Sequence, residues 1–277
     1  MSSRAGDLLG VAPGLPTHEV FVALGVLAAG LVFVVEARRR GHTDERLVWV
    51  VTGALLGGAV LMRMGTWLQH VDLRANAGVV EQWAFGNRSV LGGLVGAWLG
   101  VHVAKRLVGY RLRTGDLFAP AVALGMAVGR VGCLLTERPG TPTGTAFGIT
   151  LDPATAGRLG APAGVPLHPS FLYEVAFHLA AFVALWVWLR HRALPPGTTF
   201  VLYVAAYGVF RFLVELVRGN EVVWHGLTRP QLFLAVTVPL VVLRAVVLLR
   251  RSRAASATRL DAAGAPGPAT RPEEVSA

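Results

Sequence analysis

Two arginines and a glutamate stand within stretches of sequence that are otherwise apolar, and a third arginine closes one of them. Arg130 lies deep in the run that starts near Leu117, and Arg211 and Glu215 occupy the end of the run that starts at Thr198, followed directly by Arg218. An arginine at the centre of a bilayer-spanning helix costs about 2.5–3.5 kcal/mol or more, so it faces a polar cavity or a partner. The guanidinium fork binds phosphate through two parallel hydrogen bonds and keeps its proton at any physiological pH. Two such groups in a membrane therefore describe an anion site within reach of phospholipid headgroups. Arg211, Glu215 and Arg218 follow i, i+4, i+7 spacing and share one helix face. Their carboxylate either locks helices together as a structural ion pair or orients arginines in a site. Arg218 either snorkels to the interface or contacts substrate.

The elements that must position these charges are membrane helices. Of the 277 residues, 53% are hydrophobic and only 15% charged, against about 25% charged in soluble domains. A span needs about twenty mostly apolar residues. Such runs fall at Glu19–Val35, Leu47–Leu61, Ser89–Ala104, Leu117–Leu135, Ser170–Leu189, Thr198–Val217 and Gln231–Leu249. The fold expected is an all-α polytopic bundle of about seven transmembrane helices, with six as the alternative because the second and third runs are short. The net charge of +10 does not indicate nucleic acid, because the basic residues sit in short clusters between apolar runs. Cys133 is the single cysteine, which excludes an internal disulfide framework and a cysteine cluster for a structural metal.

Basic residues set the orientation. Sixteen, among them Arg38 to Arg40, Lys105, Arg106, Arg190 and Arg250, flank one set of helix ends, and eight, including Arg4, Arg63, Arg74, Arg138 and Arg229, flank the other. The positive-inside rule then predicts an external N-terminus and a cytoplasmic C-terminus. With no basic stretch before the first run, that run is expected to be retained rather than cleaved as a signal peptide. In this frame Arg130 and Arg211 each lie thirteen residues past the cytoplasmic end of their helix. At 1.5 Å per residue both sit roughly 20 Å into a core about 30 Å thick, at matched depth in its outer half. Residues 1–251 form the transmembrane domain in this reading, and residues 252–277, rich in Ala, Pro, Gly and charge, form a disordered cytoplasmic tail. The longest loop, Thr136 to Pro169, is rich in Gly, Pro and Thr and lies outside; loops of that length often carry function.

Four segments in order resemble the prolipoprotein diacylglyceryl transferases. They are Gly115-Asp116-Leu117-Phe118-Ala119-Pro120 running to Gly129-Arg130-Val131-Gly132, then Thr136-Glu137-Arg138-Pro139-Gly140, His168-Pro169-Ser170-Phe171-Leu172-Tyr173-Glu174, and Phe210-Arg211-Phe212-Leu213-Val214-Glu215-Leu216-Val217-Arg218. The glycines of the first segment also serve close helix packing. Enzymes of this family move the diacylglyceryl group of phosphatidylglycerol onto the lipobox cysteine of a preprolipoprotein in the bacterial cytoplasmic (inner) membrane. They form a thioether and release glycerol phosphate. The resemblance implies that Arg130 and Arg211 hold the phosphate and stabilise charge on the leaving group. Glu137 and Glu215 would orient those arginines or the attacking thiol. Gly129, Gly140, His168, Ser170, Tyr173 and Arg218 would contact substrate, although Tyr173 also reads as an interfacial anchor and His168 as a solvated histidine. The partners implied are phosphatidylglycerol, a signal peptide with its lipobox cysteine and membrane lipids, with no nucleic acid, metal or cofactor.

The match departs at three places. Before Gly92-Gly93, in the segment opening at Asn87, the family usually has histidine where this chain has Leu91, which cannot move a proton. After Gly132 the family has asparagine and phenylalanine where this chain has Cys133 and Leu134, and the segment before Glu137 is one residue shorter. Near Thr17-His18-Glu19-Val20-Phe21 the usual tyrosine is absent. The departures leave open a diverged relative that binds phospholipid without turnover, or one that uses another acceptor. Cys133 reads either as a reactive thiol beside Arg130 or as a small buried apolar residue. A transporter is disfavoured by the absence of an inverted repeat and of an acidic chain across the membrane.

Overall fold

The computed structural model describes residues 17–64, 78–85 and 88–264. Arg4, Arg74, Asn87 and residues 265–277 of the expected tail lie outside the described residues. Nine α-helices occupy these segments: α1 (Thr17–Arg39), α2 (Arg46–Met64), α3 (Val79–Phe85), α4 (Val90–Leu107), α5 (Gly115–Thr136), α6 (Pro153–Leu159), α7 (Ser170–Val183), α8 (Thr198–Val214) and α9 (Arg229–Gly264). Two small antiparallel pairs accompany them, β1 (Ile149–Thr150) with β2 (Pro166–Leu167) and β3 (Val222–Trp224) with β4 (Leu227–Thr228). The expectation of a helical membrane bundle holds. Six helical segments are long and apolar enough to cross a bilayer: Thr17–Arg39, Arg46–Met64, Gly115–Thr136, Ser170–His191, Thr198–Val217 and Arg229–Ser252. The seventh expected run is α4, whose last turn carries Lys105 and Arg106 and is correspondingly less apolar. Helix α9 continues past Ser252 to Gly264, through an alanine- and arginine-rich stretch of good helix propensity.

The chain divides into two compact units. In the first, Leu31–Thr114, α2 and α4 pair through glycines four residues apart on each helix, Gly53 with Gly57 and Gly96 with Gly100. A Cβ built on Gly96 would lie 2.1 Å from the Gly57 carbonyl oxygen, and one on Gly57 would lie 2.2 Å from that of Gly96. In lipid there is no hydrophobic drive to bring helices together, so close backbone approach supplies the contact energy. Ser89 caps α4 by accepting from the Gly92 N–H. At the other end of this unit the His42 ring and the Tyr110 hydroxyl are 2.8 Å apart.

The second unit comprises Met1–Gly30 and Gly115–Ala277. Here α5 is the central element, meeting α7 and α8, while α8 meets α9. Its small residues admit neighbours: a Cβ on Gly125 would come 2.9 Å from the Gly25 carbonyl oxygen of α1. Asp116, in the first turn of α5, accepts hydrogen bonds from the backbone N–H groups of Gly197 (2.7 Å) and Thr199 (3.0 Å), so it caps α8 from another helix. Beyond Val183 the α7 axis continues as a π turn, Ala184–Trp188, and a short 3-10 turn. In the long loop, Asp152 caps α6. The hydrogen bonds there, chiefly with Thr155, hold the Asp152 carboxyl below the usual aspartate range.

Helix pairing in the first unit is testable. Gly96→Leu must force α2 and α4 apart and should destabilise the protein by about 1–3 kcal/mol, the typical cost of overpacking. Gly30→Ala, where a Cβ meets no atom within 4 Å, should leave stability unchanged or slightly raised. Thermal unfolding in detergent, followed by aggregation of the unfolded form, checks both.

Candidate active site: a buried chain of alternating charges

The second unit carries five ionisable side chains linked end to end. Arg130 of α5 places Nε 2.7 Å from Glu174 Oε2 on α7. The other oxygen of Glu174 accepts from Arg218 Nη1 at 2.6 Å. Arg218 Nε lies 4.0 Å from Glu215 Oε2, the same oxygen that accepts from Arg211 Nη1. The order is therefore Arg130–Glu174–Arg218–Glu215–Arg211, a cation at each end and one in the middle. Glu174 is fully buried, Arg130, Arg211 and Glu215 are buried, and the Arg218 side chain is 14% exposed.

Local sequence explains each position. Arg211 and Glu215 are four residues apart where α8 tightens into a 3-10 turn, Glu215–Val217. That turn carries Arg218 toward α7. Glu174 sits one turn into α7, whose start is held by the loop ahead of it. The Gly140 N–H donates to the His168 carbonyl (2.8 Å), and the Thr141 N–H donates to that of Val217 (2.8 Å). One loop thus pins the beginning of α7 to the end of α8. Glu215 Oε1 is further engaged by Asn220 Nδ2 (2.6 Å) and by the Thr228 hydroxyl (2.9 Å), and the Thr228 N–H donates to Gln231 Oε1 (3.0 Å). The Phe171 ring lies below both Arg218, 4.3 Å from centroid to Cζ, and Arg130, 5.8 Å, within reach of cation–π attraction.

Three guanidinium groups against two carboxylates leave one net positive charge in a buried cluster. Burying an uncompensated charge is costly, and a second negative group relieves it. The cluster is therefore built to accept an anion, and one with several oxygens, because guanidinium groups present forks.

The residues expected from sequence distribute as follows. Arg130, Arg211, Glu215 and Arg218 join this cluster; Arg218 is held by Glu174 and does not simply snorkel. Glu137 is exposed and faces His18, with 3.6 Å from Oε1 to the ring Nε2. Cys133 is buried, 3.7 Å from Arg130 Nη1 and 3.6 Å from His18 Nε2. His168 Nδ1 and the Tyr173 hydroxyl lie 3.1 Å apart, and Ser170 is buried at the start of α7. A Cβ on Gly129 would meet open space, whereas one on Gly140 would strike the Val217 carbonyl oxygen at 2.1 Å. Gly140 thus serves the close approach of loop and helix. Leu91 belongs to the first turn of α4, in the other unit. Glu174, Asn220, Thr228 and Gln231 were not among the expected site residues. The signal for Glu174 was present: a carboxylate four residues into an apolar run satisfies the same criterion that singles out Arg130.

These features define a multi-pass membrane protein with a buried, net positive arginine–carboxylate cluster inside its helices. Comparison with known proteins agrees. Residues 14–250 match the model of the prolipoprotein diacylglyceryl transferase family, and the chain belongs to that family. It is 28% identical over 243 residues to phosphatidylglycerol–prolipoprotein diacylglyceryl transferase 2 of Clostridium perfringens, covering 84% of this chain and 90% of that protein. It is 32% identical over 243 residues to the phosphatidylglycerol–prolipoprotein diacylglyceryl transferase of a Dehalococcoides mccartyi strain, covering 82% and 88%. To the Clostridium tetani protein of that name it is 31% identical over 211 residues, covering 73% and 80%.

Removing Glu174 should expose the energetics of the cluster. Glu174→Ala strips both Arg130 and Arg218 of a buried partner and should cost about 3–5 kcal/mol, the usual penalty for breaking a buried pair. Truncation of the exposed Glu137 should cost less than about 1 kcal/mol. Chemical or thermal unfolding of the two variants in one detergent makes the comparison.

Proposed function

We propose that this protein transfers the diacylglyceryl group of phosphatidylglycerol to the lipobox cysteine of preprolipoproteins in the bacterial cytoplasmic membrane. In this reading α4 is a seventh span, the N-terminus faces outward and the C-terminus faces the cytoplasm. The observation that carries the assignment is the net positive, buried arginine–carboxylate chain in a member of this family. Arg130 and Arg211 bind the phosphodiester of the lipid, whose single negative charge balances the cluster. Glu174 and Glu215 hold the guanidinium planes, and Arg218 supplies the central cation between them. Asn220 and Thr228 fix Glu215, so that the Arg211 fork points at the phosphate rather than at its own carboxylate alone. Ser170, Tyr173, His168 and Gly129 line the approach of the headgroup.

The reaction asks little covalent work of the protein. The thiolate sulfur forms a bond to the glyceryl carbon as that carbon's bond to the phosphate oxygen breaks, and glycerol phosphate departs with the electron pair. Charge grows on the departing phosphate, and arginines already oriented in a water-poor site stabilise it at little reorganisation cost. Glu137, on the exposed side, lies where an incoming thiol would be received.

Purified protein is incubated with phosphatidylglycerol carrying labelled acyl chains and a lipobox peptide. Label should appear on the peptide cysteine. Arg130→Gln and Arg211→Gln should each lower the rate about 100- to 1,000-fold, the scale for losing one preorganised donor to a developing anion. Undiminished transfer in both variants would remove the phosphate role. Headgroup-dependent lipid binding with no label on the peptide would favour a phospholipid-binding relative instead.

A further inference from the structure

At the Thr17 end of α1 and the last turn of α5, three donor groups of different chemistry converge. His18 Nε2 lies 3.6 Å from Cys133 Sγ and 3.6 Å from Glu137 Oε1, and the three donor atoms are all within 4.8 Å of one another. A tetrahedral zinc ion, with bonds of about 2.3 Å to sulfur and about 2.0–2.2 Å to nitrogen and oxygen, holds its ligand atoms roughly 3.3–3.6 Å apart. The two separations from His18 Nε2, to Cys133 Sγ and to Glu137 Oε1, match those edges before any adjustment of side chains, and the third edge lies within 4.8 Å.

The backbone builds this convergence. Cys133 lies in the last turn of α5 and Glu137 directly follows its end, where the Glu137 N–H donates to the Cys133 carbonyl (2.8 Å) and keeps the two on one face. His18 comes from α1, which Gly132 admits closely: a Cβ there would stand 2.9 Å from Phe21 Cβ and 3.2 Å from the His18 carbonyl oxygen. The second ring nitrogen, Nδ1, faces the Glu19 carboxylate at 3.9 Å. Closing that gap to hydrogen-bond distance would fix the ring so that Nε2 offers its lone pair. Thiolate, imidazole and carboxylate together suit zinc better than hard cations such as magnesium or calcium. Their two negative charges neutralise a divalent ion. The Arg130 guanidinium, 3.7 Å from Sγ and paired with Glu174 through Nε, therefore meets a neutral centre.

We propose that His18, Cys133 and Glu137 form a zinc site whose open fourth position binds the acceptor thiol. Cys133 is buried, His18 half-buried and Glu137 exposed, so the fourth corner opens on the accessible side. Three protein ligands with one open position describe a catalytic rather than a structural zinc. A thiol that coordinates zinc gives up its proton, here to solvent. The bound thiolate then attacks the glyceryl carbon, forming the S–C bond while the C–O bond to phosphate breaks beside Arg130. This supplies the thiolate without a histidine at the Leu91 position. The metal site rests on the three donors; its catalytic part rests on the transfer reading above.

Metal content and transfer are measured separately on the full-length protein in detergent. After dialysis against metal-free buffer, wild-type protein should retain or take up one zinc per chain. Cobalt(II) in its place should give the intense thiolate-to-metal absorption of a tetrahedral site. Both signals should be lost in Cys133→Ser and in His18→Ala. Failure of wild-type protein to bind zinc or cobalt from micromolar solution overturns the site, even if the metal-free protein transfers lipid. For the catalytic part, chelation should lower transfer at least 100-fold and added zinc should restore it. A rate unchanged by chelation, with zinc removal verified, overturns that part. Zinc bound with the thiolate signature but no transfer in any form overturns the transfer reading and supports the metal site alone.

Discussion

In the second unit α5, α7 and the end of α8 meet at a chain of buried charges that could not exist singly in a membrane. Each guanidinium in hydrocarbon demands a partner, each carboxylate demands more, and the five side chains satisfy one another in the order cation, anion, cation, anion, cation. Glu174 has the heaviest role because it divides its two oxygens between arginines from different elements. The residual positive charge gives this structural necessity the electrostatics to attract an anion. A cluster with equal numbers of each sign would hold helices together and do nothing more.

Helix packing follows from the need to bring those charges within ion-pair distance of one another, 4.0 Å or less at each link. Small residues on α5 let α1 approach until backbones touch, and Gly140 lets a loop lie against the end of α8. Asp116 closes the opposite end by capping α8 from α5. In lipid, neither helix association nor orphaned backbone groups can draw on water, so glycines, caps and ion pairs carry what hydrophobic burial supplies in soluble proteins. The loop from Thr136 to Pro169 belongs to the same logic. Its hydrogen bonds to His168 and Val217 fix the spacing between Glu174 and Arg218.

The transfer chemistry fits a division of labour across α5. One side of that helix gives Arg130 to the charge chain, while its last turn gives Cys133, and the residue after it Glu137, to the group around His18. Arg130 and Cys133 are neighbours one turn apart, so an anion held by the arginine and a thiol received beside the cysteine would meet at a shared boundary. That adjacency suits a reaction in which a phosphate leaves one side of a carbon as sulfur arrives on the other.

Hydropathy alone located the membrane helices, because a span is a property of consecutive residues and needs no partner to be recognised. The same local rule exposed Arg130, Arg211 and Glu215, and the Arg211–Glu215 pair was legible because i, i+4 spacing on one helix is itself a contact. It placed α4 at the margin, since two basic residues in one short helix weigh heavily on its apolarity. Partners from different helices were not legible. Glu174 lies 44 residues from both Arg130 and Arg218 in the chain, and His18 lies 115 from Cys133. Spacing says nothing about which carboxylate meets which cation when the segments between them fold independently. Sequence determined which groups had to be hidden from lipid; the tertiary packing decided, through a few glycine contacts and one bridging loop, against what they would be hidden.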